Sequence, residues 1–281
     1  MSWHGHLKLD YRRDGERTIA LDRHHGPLRV LQRLYPEGDA VCHHVLVHPP
    51  GGIVGGDILE VDAHLTPGSH ALITTPGATR FYRSAGDEAV QAVRIQVDDG
   101  ARLEWLPLET LAYQGCHARN QMRFELAPGA EMMGWDILAL GLPAANQAFD
   151  DPAYPQGRYT QEIELPGVWL ERGTVAATDA RLLNSPLGWA GHRVMGTLWL
   201  ATGQAMPRPL RDALLEHARA IHQDHALAAT SGSSSPHDQV IVLRALADRV
   251  EPLMSLLSAV WAVWRETAWS LTPCPPRVWR T

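Results

Sequence analysis

Hydrophobic and polar residues alternate along much of the chain, and the alternation recurs at fixed distances from a glycine. One segment reads Val61-Asp-Ala63-His-Leu65, then a Thr-Pro-Gly68 turn, then Ser-His-Ala71. A second reads Val93-Arg-Ile95-Gln-Val97, Asp-Asp-Gly100, Ala-Arg-Leu103, and a third Met122-Arg-Phe124-Glu-Leu126, Ala-Pro-Gly129, Ala-Glu-Met132. In each, apolar residues stand seven, five and three positions before the glycine and three after it; the glycines are 32 and 29 residues apart. A weaker fourth copy ends at Gly203, with Leu198 and Leu200 in register. A period of two marks a half-buried strand, and Pro-Gly or Asp-Gly marks a tight turn. Each unit is therefore a strand, a turn and a return strand. Stacking such units buries a continuous core, as in a solenoid. An antiparallel meander is the alternative that the same pattern allows.

Helical periodicity is confined to the last third. From Pro207 to about His222, residues Leu210, Leu214, Leu215 and Ala218 share one face, with proline at the start. From Arg249 to Trp269, residues Leu253, Leu256, Leu257, Val260, Trp261, Trp264 and Ala268 recur at spacings of three and four. Between them Val240 to Leu243 reads as a buried strand, and Ser231-Gly-Ser-Ser-Ser-Pro236 as a flexible turn or loop. The expected fold is mainly β: a β-helix-like stack of many short strands with helices near 208–222 and 249–269. No shift in composition marks a boundary, so residues 1–281 are expected to form one domain.

Composition narrows the function. Of 281 residues, 45% are hydrophobic and 20% charged, which argues against disorder. The net charge of −6 argues against nucleic-acid binding as the main role. Three widely spaced cysteines, Cys42, Cys116 and Cys274, give no disulfide framework and no CxxC zinc site. The N-terminus has no apolar signal region, and no apolar run reaches the roughly 18 residues a membrane helix needs. A soluble cytoplasmic protein without membrane association is expected.

Two motifs stand out. His48-Pro-Pro-Gly-Gly-Ile-Val-Gly-Gly-Asp57 is glycine-rich, but a strand pattern follows it and no Lys-Ser/Thr is present. A phosphate cradle needs a helix at that point, so a shaped turn that exposes Asp57 is the better reading. Thr74-Thr75-Pro-Gly-Ala-Thr79-Arg80-Phe-Tyr82-Arg83-Ser84 gathers hydroxyls with Arg80, Tyr82 and Arg83, residue types that anchor interfaces. A hydrogen-bonded turn with solvated arginines fits it equally.

Fifteen histidines invite a metal reading, yet none shows HExxH spacing, and neighbours such as His43-His44 on a strand point to opposite faces. Scattered imidazole and carboxylate groups suit transient handling of a borderline metal such as nickel better than a permanent site. GxSxG is absent, and the adjacent Cys116 and His117 do not establish a nucleophile with its base. Asp57, Glu109, Asp136 and Glu171 are each set in apolar or aromatic sequence. Such carboxylates are either paired with a partner or line a polar passage.

Taken together, HPPGGIVGGD (48–57), TTPGATRFYRS (74–84), WLPLET (105–110), WLER (169–172) and the terminal PRVWRT (276–281) resemble the UreD family of urease accessory proteins, also called UreH. The similarity runs through most of the chain. Leu108 stands where a glutamine commonly precedes the glutamate, Leu140-Gly-Leu142 lacks the usual arginine, and Ser231 to Pro236 is more polar than the family pattern. The resemblance implies a non-enzymatic scaffold of urease maturation with a β-helix-like fold and a pair of helices. It implies binding to UreF, through it to the nickel-carrying GTPase UreG, and docking on urease apoprotein. It also implies passage of Ni²⁺, transiently held and not a resident cofactor, through an internal polar channel. The channel candidates are Asp57, Thr74, Thr75, Glu109, Asp136 and Glu171. Arg80, Tyr82, Arg83, Trp261 and Trp264 are the partner-binding candidates, the last two because a solitary chain cannot easily bury Trp261, Trp264 and Trp269 together. Two other readings compete: a metal-dependent enzyme on a β-solenoid or barrel, with a site near His43, His48 and Glu109, and a β-rich interaction module without a metal role.

Overall fold

The computed structural model describes residues 2–280; Thr281 of the terminal motif lies outside them. The first half contains β1 (His4–Asp14), β2 (Arg17–His25), β3 (Arg29–Leu34), β4 (Val41–Val47), β5 (Ile58–Leu65), β6 (His70–Thr74), β7 (Thr79–Phe81), β8 (Ala89–Val97), β9 (Arg102–Trp105), β10 (Thr110–Ala112), β11 (His117–Leu126) and β12 (Glu131–Leu142). The second contains β13 (Gln147–Ala148), β14 (Arg158–Leu165), β15 (Trp169–Ala176), α1 (Ala180–Asn184), β16 (Val194–Thr202), α2 (Arg208–Gln223), β17 (Ser231–His237), β18 (Val240–Ala247) and α3 (Val250–Trp269). Two sheets face each other. The first has the order β15-β14-β11-β8-β5-β1-β2; the second runs β17-β18-β16-β12-β9-β6-β4-β3.

The three sequence repeats are three stacked rungs. Val61 pairs with Val93 and Val93 with Met122; Ala63, Ile95 and Phe124 align in the same way, as do Leu65, Val97 and Leu126. After the turn, Ala71, Leu103 and Met132 align in the second sheet. Each Gly turn thus carries the chain from one sheet to the other, and equivalent strands stack in parallel. Gly68 and Gly100 sit at φ +73° and +69°, the left-handed region that glycine enters without strain. Gly129 serves differently: a Cβ there would lie 2.2 Å from Asp99 Oδ1, which accepts the Gly129 N–H at 2.9 Å.

β14 adds a further parallel strand, Met122 pairing with Ile163. The Pro166-Gly167 turn then sends β15 back antiparallel in the same sheet, and β2 does the same beside β1 at the other end. Antiparallel hairpins thereby close both ends of the parallel run. The segment ending at Gly203 is not another rung. β16 runs antiparallel to β12, and Leu198 and Leu200 face the helices instead of the opposing sheet.

The second sheet is buried on both faces. One face packs against the first sheet through residues such as Leu7, Leu9, Ile95, Leu103, Phe124 and Trp199. The other packs against α2 and α3 through Met133, Trp135, Leu198, Leu214, Leu253 and Leu257. Trp261, Trp264 and Trp269 all lie in this second core, against the expectation that a solitary chain cannot easily bury all three. Their burial is feasible because two indole N–H groups find acceptors: Trp261 Nε1 donates to Glu104 Oε2 at 2.7 Å and Trp264 Nε1 to Leu214 O at 2.8 Å. Ser231–His237 is an edge strand, not a flexible loop. Pairing with apolar β18 overrides its weak β propensity, and Pro236 falls where the register shifts. Among the described residues no helix is long and apolar enough to cross a membrane.

A buried charge chain clamps α3 to the second sheet. Arg265 is fully buried; its Nη2 donates to Glu37 Oε2 at 2.6 Å and its Nε to Glu104 Oε1 at 3.2 Å. His43 meets Glu37 at 2.6 Å and His70 meets Glu104 at 2.9 Å. Burial alone would raise the Glu104 pKa, but His70, Arg265 and Trp261 outweigh it and hold the carboxyl below its ordinary range. Replacing Arg265 with Met should destabilise the fold by about 3–5 kcal/mol, because fully buried Glu104 and partly buried Glu37 lose their shared cation. Urea denaturation measures this, and adding Glu37→Gln and Glu104→Gln should restore part of the loss.

Candidate functional site

The 48–57 and 74–84 motifs and the WLPLET segment come together on the side of the stack where successive rungs return from the second sheet to the first. Ile53 N–H donates to Arg80 O at 2.7 Å, and Tyr82 N–H to Ile53 O at 2.9 Å. A Cβ on Gly52 would lie 2.0 Å from the Tyr82 ring, and one on Gly55 would lie 2.2 Å from Ser84 Oγ. Those glycines are required by close approach between the motifs. β7 and β10 pair in parallel, and Thr79 N–H donates to Glu109 O at 2.9 Å.

The candidate residues there have separate environments. Asp57 is buried rather than exposed by its turn: Oδ1 accepts Trp3 N–H at 2.7 Å and Oδ2 accepts Val54 N–H at 3.0 Å. Thr75 Oγ1 donates to Gly77 O at 3.0 Å and accepts Leu108 N–H at 2.9 Å. Thr74 lies on the helix-facing side of the second sheet, where its Oγ1 donates to Leu106 O and accepts Trp279 Nε1–H at 2.9 Å. Glu109 is half-buried and forms no ion pair among the described residues. Arg80 and Arg83 are exposed, and half-buried Tyr82 packs on Tyr113 with ring centroids 4.9 Å apart.

Asp136 is different. It sits on β12 with its side chain between the two sheets, 5% exposed. Asn120 Nδ2 donates to its Oδ1 at 3.3 Å and Gln161 Nε2 to its Oδ2 at 2.5 Å. Gln91 Nε2 in turn donates to Asn120 Oδ1 at 3.1 Å. Gln91, Asn120 and Gln161 occupy the same level of three adjacent parallel strands, so they form one row of amides across the inner face of the first sheet. Thr197 lies beside Asp136 on β16, and Arg244 Nε donates to Thr197 Oγ1 at 3.4 Å. Arg244 also pairs with Glu171, whose strand β15 forms the edge of the first sheet. Asp136 is thus buried between the sheets and Glu171 lies partly exposed at the edge nearby, close enough for its charge to act on Asp136, whereas Asp57, Thr74, Thr75 and Glu109 lie elsewhere.

No cationic side chain pairs with Asp136 among the described residues. Burial pushes its pKa up to about 7; the Gln161 hydrogen bond opposes this and the nearby Glu171 charge adds to it. Among the described residues the Tyr159 hydroxyl, buried near Asn120 and Thr110, makes no well-formed hydrogen bond, and Trp199 Nε1, also between the sheets, has no partner. Orphaned polar groups of this kind mark an interior fit for water or a polar guest.

The amide row was not singled out from the sequence. Its signal lies in the repeat itself. The position nine before each turn glycine faces inward like those at seven, five and three; it is Leu59 in the first copy but Gln91 and Asn120 in the next two.

The histidines do not converge. His43 points to the helices and Glu37, while His44 points between the sheets, bonded to Tyr11 Oη at 2.8 Å. Burial and Arg33 push the His44 pKa down to about 4. His48 lines a separate cavity of about 270 Å³ between the sheets, whose wall includes Gln91. Among the described residues no three His, Cys, Asp or Glu side chains gather to hold a metal ion, so the enzyme site imagined at His43, His48 and Glu109 is not assembled.

Comparison with known proteins agrees with the motifs. A family model described as UreD urease accessory protein matches residues 4–280. A urease accessory protein UreD of Leptothrix cholodnii is 66% identical over all of both chains. Its counterpart in Variovorax paradoxus is 56% identical, again over all of both chains, and that of Paracidovorax citrulli is 54% identical over 99% of each.

The raised Asp136 pKa fixes a pH dependence. Its folded value lies above the unfolded one, so its contribution is present below about pH 4 and is lost as pH rises through about 7. Asp136→Asn removes that loss. Relative to the parent chain, the variant should gain up to about 4 kcal/mol between pH 4 and pH 8, read by urea denaturation at several pH values. A pH-independent difference would mean that the carboxyl is not held neutral by burial.

Proposed function

This chain belongs to the UreD family of urease accessory proteins, and from that premise we propose that it is a non-catalytic scaffold that carries nickel toward urease apoprotein. In this reading it links UreF, and through UreF the nickel-carrying UreG, to the immature enzyme. Ni²⁺ is its cargo, and the space between the two sheets is the route.

The observation that carries this reading is Asp136: a carboxyl group buried between the sheets, held by two amides and, among the described residues, paired with no cation. Such a group is costly, and a costly titratable group retained in a core is a functional candidate. Carboxylate and amide oxygens bind a borderline divalent cation loosely enough to release it, whereas a closed cage of imidazole and thiolate would retain it. As a dication enters, Asp136 loses its proton to solvent, and the resulting carboxylate has no competing cationic side chain among the described residues. Gln161 and Asn120 keep both carboxyl oxygens oriented across the gap. Glu171, paired with Arg244 at the sheet edge, supplies a second carboxylate at one end of the row, and Gln91 lies at the other.

Exposed Arg80 and Arg83, set beside Tyr82 on the shared motif platform, are the proposed contacts for partner proteins. Trp261 and Trp264 serve that role only indirectly, by fixing α3 in place.

The test is co-expression of the Asp136→Ala/Glu171→Ala double variant with UreF, UreG and the urease subunits. The complex mass should be unchanged, while the nickel content and activity of urease fall by about tenfold or more, the scale of losing 1.4 kcal/mol or more at a transfer step. Full activation by the double variant would remove the interior route and leave the scaffold alone.

A further inference from the structure

The amide row of the first sheet ends in a glycine. Gln91, Asn120 and Gln161 occupy one level of β8, β11 and β14, and the residue paired with Gln161 on the edge strand β15 is Gly173. The facing row of the second sheet is Asp136, Thr197 and Arg244 on β12, β16 and β18; the residue paired with Arg244 on the edge strand β17 is Gly232. Both polar rows therefore run to a sheet edge and stop at a residue without a side chain.

Neither glycine is required by the backbone or by packing. Neither has a left-handed φ, no register shift falls at either position, and a Cβ on either would meet no atom within 4 Å. Glycine inside a strand costs about 0.5–1 kcal/mol relative to alanine, and without a bulge or bend it marks a place that something else approaches. Exposure rises along the same line. Asp136, Thr197 and Gln161 are buried, Glu171 is half-buried, and Gly173, Gly232 and Arg244 are exposed.

Arg244 stands at this boundary. Its guanidinium pairs with Glu171, which lies two residues before Gly173 and on the same face of β15, and its Nε reaches Thr197 Oγ1 at 3.4 Å. A divalent cation arriving at Glu171 competes with that guanidinium for one carboxylate. We propose that the polar rows open to solvent at Gly173 and that the Arg244–Glu171 pair guards this mouth, with Arg244 as the counter-charge that a passing divalent cation displaces. The proposal rests on the nickel reading of Asp136 and adds where the cation crosses the protein surface and what it displaces there.

Thiol labelling of the full chain tests the mouth without nickel. Thr197→Cys places a thiol on the buried side of Arg244. Methyl methanethiosulfonate should label it, and adding Gly173→Trp should slow the labelling by about tenfold or more, with Gly173→Ala slowing it less, read by peptide mass spectrometry. Buried Cys42 and Cys116 should stay unlabelled throughout, which reports an intact fold. If Thr197→Cys does not fold, two further measurements decide. Gly173→Trp, co-expressed with UreF, UreG and the urease subunits, should keep its thermal stability while the nickel content of urease falls about tenfold. Arg244→Gln should raise the affinity of the full chain for Ni²⁺ by about tenfold in isothermal titration calorimetry, because Glu171 loses its competing cation, whereas Arg244→Lys should match the parent. A purely structural ion pair would lose stability on that change and gain no nickel affinity. Labelling indifferent to Gly173→Trp, undiminished nickel delivery by Gly173→Trp, or unchanged nickel affinity in Arg244→Gln would overturn the proposal. Loss of delivery in Asp136→Ala/Glu171→Ala beside those results would keep the nickel reading and place the mouth elsewhere, so the two fail separately.

Discussion

In-register parallel stacking is the constraint on which the rest of this protein depends. Neighbouring strands lie about 4.8 Å apart, and in a parallel stack equivalent positions of successive units fall on one line. An apolar position repeated in every unit becomes an apolar seam, as at Val61, Val93 and Met122. A polar substitution at one level must then be satisfied by the same level of the next strand or by the facing sheet. Gln91, Asn120 and Gln161 meet that requirement by bonding along the row and across the gap to Asp136. The polar line is thus a product of the repeat, not an interruption of it.

Burial of the second sheet on both faces sets the remaining terms. A strand covered on both sides reads as nearly continuous apolar sequence. β12 does so, from Met132 to Leu142, with Asp136 as its one charged residue after Glu131. The alternation of the strand sends Trp135 and Ile137 to the helices and Asp136 to the gap between the sheets. Polar groups on the helix side have a different solution. There Glu104 and Glu37 share the guanidinium of Arg265 from α3, and each also hydrogen-bonds a histidine, so both carboxylates have partners. The same sheet carries a compensated carboxylate on one face and an uncompensated one on the other. The first holds the helices in place; the second is available for chemistry.

The cavity adds a third environment. Apolar walls and a lone guanidinium lie at one end of the amide row, and the Glu171–Arg244 pair lies toward the other. The inter-sheet space is therefore graded along its length, from mainly apolar to carboxylate-bearing. Gly52 and Gly55 shape the apolar end by letting the first motif approach Tyr82 and Ser84 of the second more closely than any side chain would permit.

The repeats, the turn glycines, the C-terminal helices and the family resemblance were all legible in the sequence, because local periodicity and rare motifs need no knowledge of distant contacts. The pointing of His43 and His44 to opposite faces was legible for the same reason. Which carboxylates share a space was not. Glu171 is brought near enough for its charge to act on Asp136 only through the pairing of β14 with β11 and β15, and Asp57 is occupied by bonds from Trp3 and Val54. Burial of three tryptophans by one chain required a second core beneath α2 and α3, and the strand at Ser231 to His237 required β18 beside it. Sequence determined the repeating unit and its alternation. Tertiary structure decided which polar residues lost water and which of them found a partner, because desolvation depends on neighbours that lie tens to hundreds of residues away along the chain.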